Sequence, residues 1–177
     1  PEDLQDATEV AYTMVLLKIT SKAEKEKQMA EEEAAQEMAK QKAREKVAAI
    51  DKNMQAVLGD YLAGKLKDKL KTTPSGVKLL IEENGAGEKV GQNADVSLDY
   101  YGCLINGQMF DNSYERGQLL SFTTATQQMI PGFDEAVQEL NHGAKAFVFI
   151  PAELAYGDQE AGPIPANSEL IFYVEIF

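Results

Sequence analysis

Two hydrophobic patterns divide the chain. From Val77 onward the apolar residues come in short runs separated by Gly, Pro, Asn and Asp, the punctuation of a β-rich domain. VKLLIEENG and ADVSLDYYGCLI give the first two strands, with the loop GAGEKVGQN between them. Asn106-Gly107 marks a hairpin turn, Gly107 supplying the positive φ that such a turn needs. QMFDNS and SFTT are the next strands, and KAFVFIP and SELIFYVEIF the last. Between them QMIPGFDEAVQEL reads as a short helix: Pro131 suits its first turn, and Phe133, Val137 and Leu140 share one face. The pattern predicts an α+β fold, an antiparallel sheet with one helix packed across it, over residues 72–177. Thr72-Thr73-Pro74-Ser75-Gly76 separates it from what precedes.

Upstream the pattern changes. Residues 22–46 are almost entirely Ala, Glu, Lys, Gln, Met and Arg, the strongest helix formers, and neither Gly nor Pro occurs between Lys22 and Leu58. This predicts a long helix over 21–71, bent near Gly59 or Gly64, with a solvated first half whose larger apolar residues are Met29 and Met38. Val47, Ile50, Met54, Val57 and Tyr61 then form a heptad seam, beside an i,i+4 row of Leu58, Leu62, Leu66 and Leu70. A straight helix would set Val47 roughly 40 Å from Pro74, beyond the cover of the sheet. The seam must bury against the following domain, a second chain or a missing domain, and because the sheet would not cover it entirely it predicts a homodimer through the long helix. Residues 1–20 contain ATEVAYTMVLLKIT, where Val10, Tyr12, Met14 and Leu16 alternate with Val15 and Leu17 opposite. This reads as an N-terminal strand, similar to NSELIFYVEIF, and predicts the closing strand of a preceding, similar domain. A chain that opens on Pro1 reads as a piece of something longer.

Charge and chemistry then narrow the function. A net charge of −12 argues against nucleic acid and against an anionic membrane surface. No apolar run approaches the ~20 residues of a membrane-spanning helix. With one cysteine, Cys103, and one histidine, His142 in the turn Asn141-His142-Gly143, neither a disulfide within the chain nor a zinc site is expected, and no metal or cofactor. The GAG at 85–87 opens no helix and so is no phosphate cradle, and no Ser/His/Asp set can be assembled. What remains is a concentration of Tyr100, Tyr101, Phe110, Phe122, Met129, Ile130, Phe133, Tyr156, Ile164 and Phe172, with Asp111 and Arg116 beside turns. Each alone reads as core. Together they fit an apolar pocket with a few placed polar groups.

SGVKLLIEENGAG, VSLDYYGCLINGQMFDNSYERG, LSFTT, MIPGFDEAVQEL, GAKAFVFIPAELAYG and IPANSELIFYVEIF occur in this order between Ser75 and Phe177. In sequence and spacing they resemble an FKBP-type peptidyl-prolyl isomerase domain. The resemblance implies a curved antiparallel sheet wrapped around a short helix, with a pocket between them in which X–Pro bonds rotate. It assigns catalytic positions to Tyr100, Phe110, Asp111, Ile130, Tyr156 and Phe172, and substrate-binding positions to Arg116, Leu120, Met129, Phe133 and Ile164. Ile130 would offer its backbone N–H, and Tyr156 its hydroxyl, to carbonyls of the ligand. The chain departs from the family at the pocket floor, most often Trp and here Phe133, at a wall position, often Phe and here Leu120, and in the loop GDQEAGPIP, which lacks a common histidine.

The resemblance further implies partners: proline-containing unfolded polypeptides, and macrolides such as rapamycin. The arrangement is similar to bacterial members with an N-terminal domain and a long helix, periplasmic or lipid-anchored on the outer membrane, that act as folding helpers. Two function classes follow, an active isomerase with chaperone behaviour and a catalytically weak proline-binding or chaperone module on the same fold. The substitutions at Phe133 and Leu120 bear on which applies.

Overall fold

The computed structural model describes the backbone of residues 2–177 and the side chains of Lys22 and of residues 24–177. The first element is a helix, α1, over Glu2–Leu62. Helix continues through residues 7–20, where the sequence pattern predicted a strand. The β-branched residues there favour strand, but no Gly or Pro interrupts the chain from Glu2 to Leu58. Extending an existing helix costs far less than nucleating one. The alternation of Val10, Tyr12, Met14 and Leu16 concerns side chains outside the described residues.

The chain divides into two compact units, Pro1–Lys42 and Ala43–Phe177. In the first, the described side chains are exposed, among them Met29 and Met38. Lys22–Glu26, Lys27–Glu31 and Lys40–Glu37 pair along the helix surface.

The second unit begins with the rest of α1, which stops earlier than the predicted Lys71. Gly64 adopts φ +70° just past the last turn. Its N–H bonds to the Tyr61 carbonyl, and the Lys65 N–H reaches back to that of Asp60. This is the Schellman arrangement, which satisfies the last carbonyls and turns the chain away. The helix stop also divides the leucine row: Leu58 and Leu66 are buried, and Leu62 is 67% exposed.

After the turn come β1 (Lys71–Thr72), β2 (Lys78–Asn84), β3 (Asp95–Leu104), β4 (Met109–Asn112), β5 (Leu120–Thr123), α2 (Pro131–Gln138), β6 (Ala144–Ile150) and β7 (Leu170–Ile176). The strands form one antiparallel sheet in the order β1-β2-β6-β7-β3-β4, with β5 pairing the first half of β3. On its inner face Leu79, Leu98, Tyr100, Val148, Leu170 and Phe172 pack against Phe133, Ala136, Val137 and Leu140 of α2 and its end. α2 approaches so closely that a Cβ on Gly132 would lie 2.3 Å from Ile150.

The outer face is covered too. Tyr101, Cys103, Phe147, Phe149, Ile171 and Tyr173 pack against Ile50, Met54, Val57 and Leu58 of α1 and against Leu66 beyond it. Tyr61 stacks on Phe149 with ring centroids 4.1 Å apart. The seam is thus buried against the following domain of its own chain, one of the three partners it allowed, and that ground for a dimer is removed. The expected 40 Å separation assumed a straight helix leading away from the sheet. Because α1 ends at Leu62 and the chain reverses, the seam lies across the sheet instead.

Met54, fully buried in this layer, and Met38, 63% exposed, separate the two environments on one helix. Met54→Ala should lower the unfolding free energy by about 2–5 kcal/mol in urea titrations. Met38→Ala should change it by no more than about 0.5 kcal/mol.

Candidate functional site

Between the sheet's inner face and α2 lies a cavity of about 390 Å³. Tyr100, Phe110, Asp111, Leu120, Met129, Ile130, Phe133, Tyr156 and Phe172 line it, and all nine were singled out in the sequence. Gln127 and Gln128 line it as well and were not.

Each wall has a local cause. On β3, alternation turns Tyr100 inward and Tyr101 outward. Between Tyr100 and Leu104 the inward position is Gly102, and a Cβ there would lie 2.8 Å from both the Phe110 and the Phe172 rings. The missing side chain is what lets these two rings meet, edge to face, at 5.6 Å. Phe172 in turn meets Phe133 at 4.9 Å and Tyr100 at 6.2 Å. Phe133, in the first turn of α2, is almost wholly buried.

Ile130 stands at the head of α2, its carbonyl accepting the N–H groups of Phe133 and Asp134. The loop before it is held by Asp134, a buried acid whose carboxylate accepts the Ala125 N–H at 2.9 Å and the Gln138 amide at 3.1 Å. Ala125 and Gln127 take positive φ there, at 61° and 59°. An acid in a helix's first turn was the available signal for Asp134. Nothing in the local sequence marks Gln127 and Gln128 as lining residues.

One polar cluster borders the cavity. The Tyr100 hydroxyl donates to Asp111 Oδ2 at 2.5 Å and accepts from an Arg116 guanidinium nitrogen. Arg116 Nη1 lies 3.3 Å from Asp111 Oδ1. Burial, and then the Asp111 carboxylate, push the Tyr100 hydroxyl up to about 12. For Arg116, burial works against the charge, but the bond to Tyr100 and the charge of Asp111 outweigh it and raise its value. Arg116 lies outside the lining and acts on it through these two partners. Ile164, expected at the site, belongs to the buried core cluster and not to the cavity wall. Tyr156 stands at the rim, 43% exposed. Among the described residues no group of His, Cys, Asp and Glu could hold a metal ion. The cavity therefore offers apolar rings, backbone groups and hydroxyls, suited to gripping and orienting a ligand.

The sequence profile of the FKBP-type peptidyl-prolyl cis-trans isomerase family matches residues 86–177. The FKBP-type peptidyl-prolyl cis-trans isomerase FkpA of Aeromonas hydrophila is 41% identical over 118 residues, 66% of this chain and 43% of that protein. Outer membrane protein MIP of Legionella longbeachae is 38% identical over 115 residues, 64% of this chain and 48% of that protein. The chain spans less than half the length of these relatives. Among solved structures, FkpA from Escherichia coli superposes with a TM-score of 0.59 at 36% identity, over 76% of this chain and 62% of that one. AtFKBP13 gives 0.58 at 33%, over 60% of this chain and 94% of that one. With the profile covering the sheet from before β3 to its last strand, the chain belongs to the FKBP-type peptidyl-prolyl cis-trans isomerase family.

Proposed function

We propose that the chain accelerates cis–trans rotation about X–Pro bonds in unfolded or nascent polypeptides. The observation that carries this reading is the aromatic cavity bordered by a fully paired polar cluster. The reaction makes and breaks no bond. Its barrier, ~18–20 kcal/mol, is amide resonance, and a twisted amide has lost the charge separation that water solvates. A dry apolar wall favours that twisted state over the planar one. Phe110, Phe133 and Phe172 grip the proline ring, with Leu120 and Met129 as sides. The Ile130 N–H and the Tyr156 hydroxyl orient the flanking carbonyls. Tyr100, Asp111 and Arg116 form a wall fixed by charge-assisted hydrogen bonds. Phe133 and Leu120 keep the pocket apolar, which supports catalysis over mere retention of the fold. Macrolides such as rapamycin suit the same cavity. A relative named for the outer membrane supports a periplasmic or outer-membrane setting in a bacterium, where unfolded chains would be the clients.

A protease-coupled assay on a short X-Pro-Phe peptide tests the reading. Phe110→Ala or Tyr156→Ala should lower kcat/KM at least about tenfold, a loss of ~1.4 kcal/mol in transition-state binding. Full activity in the folded double variant would refute the assignment of the site.

The pH profile tests the absence of proton transfer. Tyr100, raised to about 12, stays protonated, and Arg116 stays charged, so the rate should be level between about pH 6 and 9. A bell centred in that range would indicate acid–base catalysis instead. Because the folded-state value of Tyr100 exceeds its ordinary 10.0, its contribution to stability is complete below pH 10. That contribution should fade as pH rises towards 12, which equilibrium unfolding at alkaline pH would record.

A further inference from the structure

The strand that supplies two pocket residues is a short edge strand, paired with the sheet on one side only. β4 carries Phe110 and Asp111, is four residues long, and pairs with β3 only through Tyr101↔Asn112, Gly102↔Asp111 and Cys103↔Met109. The register slips between Gly102 and Cys103. Backbone bonds from the Leu104 N–H to the Gln108 carbonyl and from the Ser113 N–H to the Tyr100 carbonyl close the two ends of β4, but as an edge strand it is paired on one side only.

α1 adds side-chain contacts to this hairpin from the other face of the sheet. Gln55 Nε2 donates to the Gly107 carbonyl at 3.2 Å, in the turn that joins β3 to β4. The approach is close: a Cβ on Gly107 would lie 2.6 Å from the Gln55 amide. One helical turn earlier, Asp51 Oδ1 accepts the Tyr101 hydroxyl at 2.7 Å, and Gln55 Nε2 approaches the same oxygen at 3.5 Å. Tyr101 follows Tyr100 on β3 and pairs with Asn112, the far end of β4. Two neighbouring side chains on one helix face thus hold both ends of β4, one through the turn and one through its partner strand. Neither residue lines the cavity.

We infer that Asp51 and Gln55 are positioning residues of the pocket. From the outer face of the sheet, α1 holds the β3–β4 hairpin at the setting that brings Phe110 against Phe172 and Asp111 against Tyr100 and Arg116. The activity consequence rests on the isomerase reading; the structural consequence does not. The geometry leaves little slack, because Gly102 has no side chain and the rings occupy the space it frees. A displacement of about 1 Å at a site of this kind can cost up to ~100-fold in rate.

The test uses the full chain and two readouts, kcat/KM on an X-Pro-Phe peptide and amide hydrogen exchange across residues 104–112. Gln55→Glu keeps the shape but removes the donor and sets a carboxylate beside the Gly107 carbonyl. Asp51→Ala removes the acceptor of Tyr101, and Asp51→Asn restores one. Leu66→Ala, which thins the same apolar layer beyond the end of α1, controls for lost stability.

Gln55→Glu and Asp51→Ala should lower kcat/KM about tenfold and speed exchange in the hairpin. Asp51→Asn should recover both, and Leu66→Ala should leave both near wild type while lowering the unfolding midpoint. Unchanged hairpin exchange in Gln55→Glu and Asp51→Ala would overturn the inference whether or not the chain is an isomerase. So would losses no larger than those of Leu66→Ala. An inactive wild-type chain whose hairpin exchange still responds to Gln55 and Asp51 would instead refute the isomerase reading and leave the clamp standing.

Discussion

The sheet is apolar on both faces, and everything else in the structured domain answers to that. Along β6 and β7 buried residues run almost without a break, and the second half of β3 is the same. An antiparallel sheet with one wet face would alternate. Here Phe147, Phe149, Ile171 and Tyr173 point one way and Val148, Ile150, Leu170 and Phe172 the other, so each face needs a covering layer. α2 covers one and makes the cavity. α1 covers the other and, by ending in a glycine turn at Gly64, brings its apolar seam back over strands that follow it in sequence. The Lys46–Glu175 ion pair and the bond from Tyr61 to Glu169 border that layer with polar contacts.

The cavity follows from the same constraint. Loose charge in the wall of an apolar cavity is costly. Arg116 is the only Lys or Arg between Lys89 and Lys145, a stretch that contains β3, β4, β5 and α2. Its guanidinium is engaged by Asp111 and Tyr100 together, so the one carboxylate in the lining is matched by the one cation its neighbourhood supplies. The phenol between them donates to one and accepts from the other, which leaves its hydrogen-bonding capacity satisfied without a free charge. The cavity is thus bordered by a polar cluster whose charges are matched within it.

Much of the sheet domain was legible in the sequence because its signals are local. Asn106-Gly107 fixed the hairpin, Pro131 the start of α2, and the runs around Val148 and Tyr173 the central strands. The pocket residues were legible because family motifs carry them in order. The errors came where a local signal was outvoted by its surroundings. ATEVAYTMVLLKIT has strand-like composition but sits inside an uninterrupted helix-permitting stretch. Ile164 sits in a motif next to the site yet serves the core. Gln127 and Gln128 reach the lining through a loop held in a left-handed turn by Asp134, and no spacing rule reports that.

The seam shows how a correct local reading can leave its partner open and then weigh the partners wrongly. Val47, Ile50, Met54, Val57 and Tyr61 do form an apolar face, and that face is too costly to leave in water. The sequence also contained its occupant: a strand such as LIFYVEI, apolar at successive positions, demands cover on two sides, and one eight-residue helix provides only one. Matching the two unpaired demands, a bare helix face and a bare sheet face in one chain, gives the intrachain docking without any second molecule. The matching also moves the working boundary of the domain. A division at residue 72, among the first strand residues, would strip the outer face of its cover, whereas the compact unit begins at Ala43 and includes the helix that closes it. The part of α1 from Ala43 to Leu62 is therefore as much a component of the sheet domain as any of its strands.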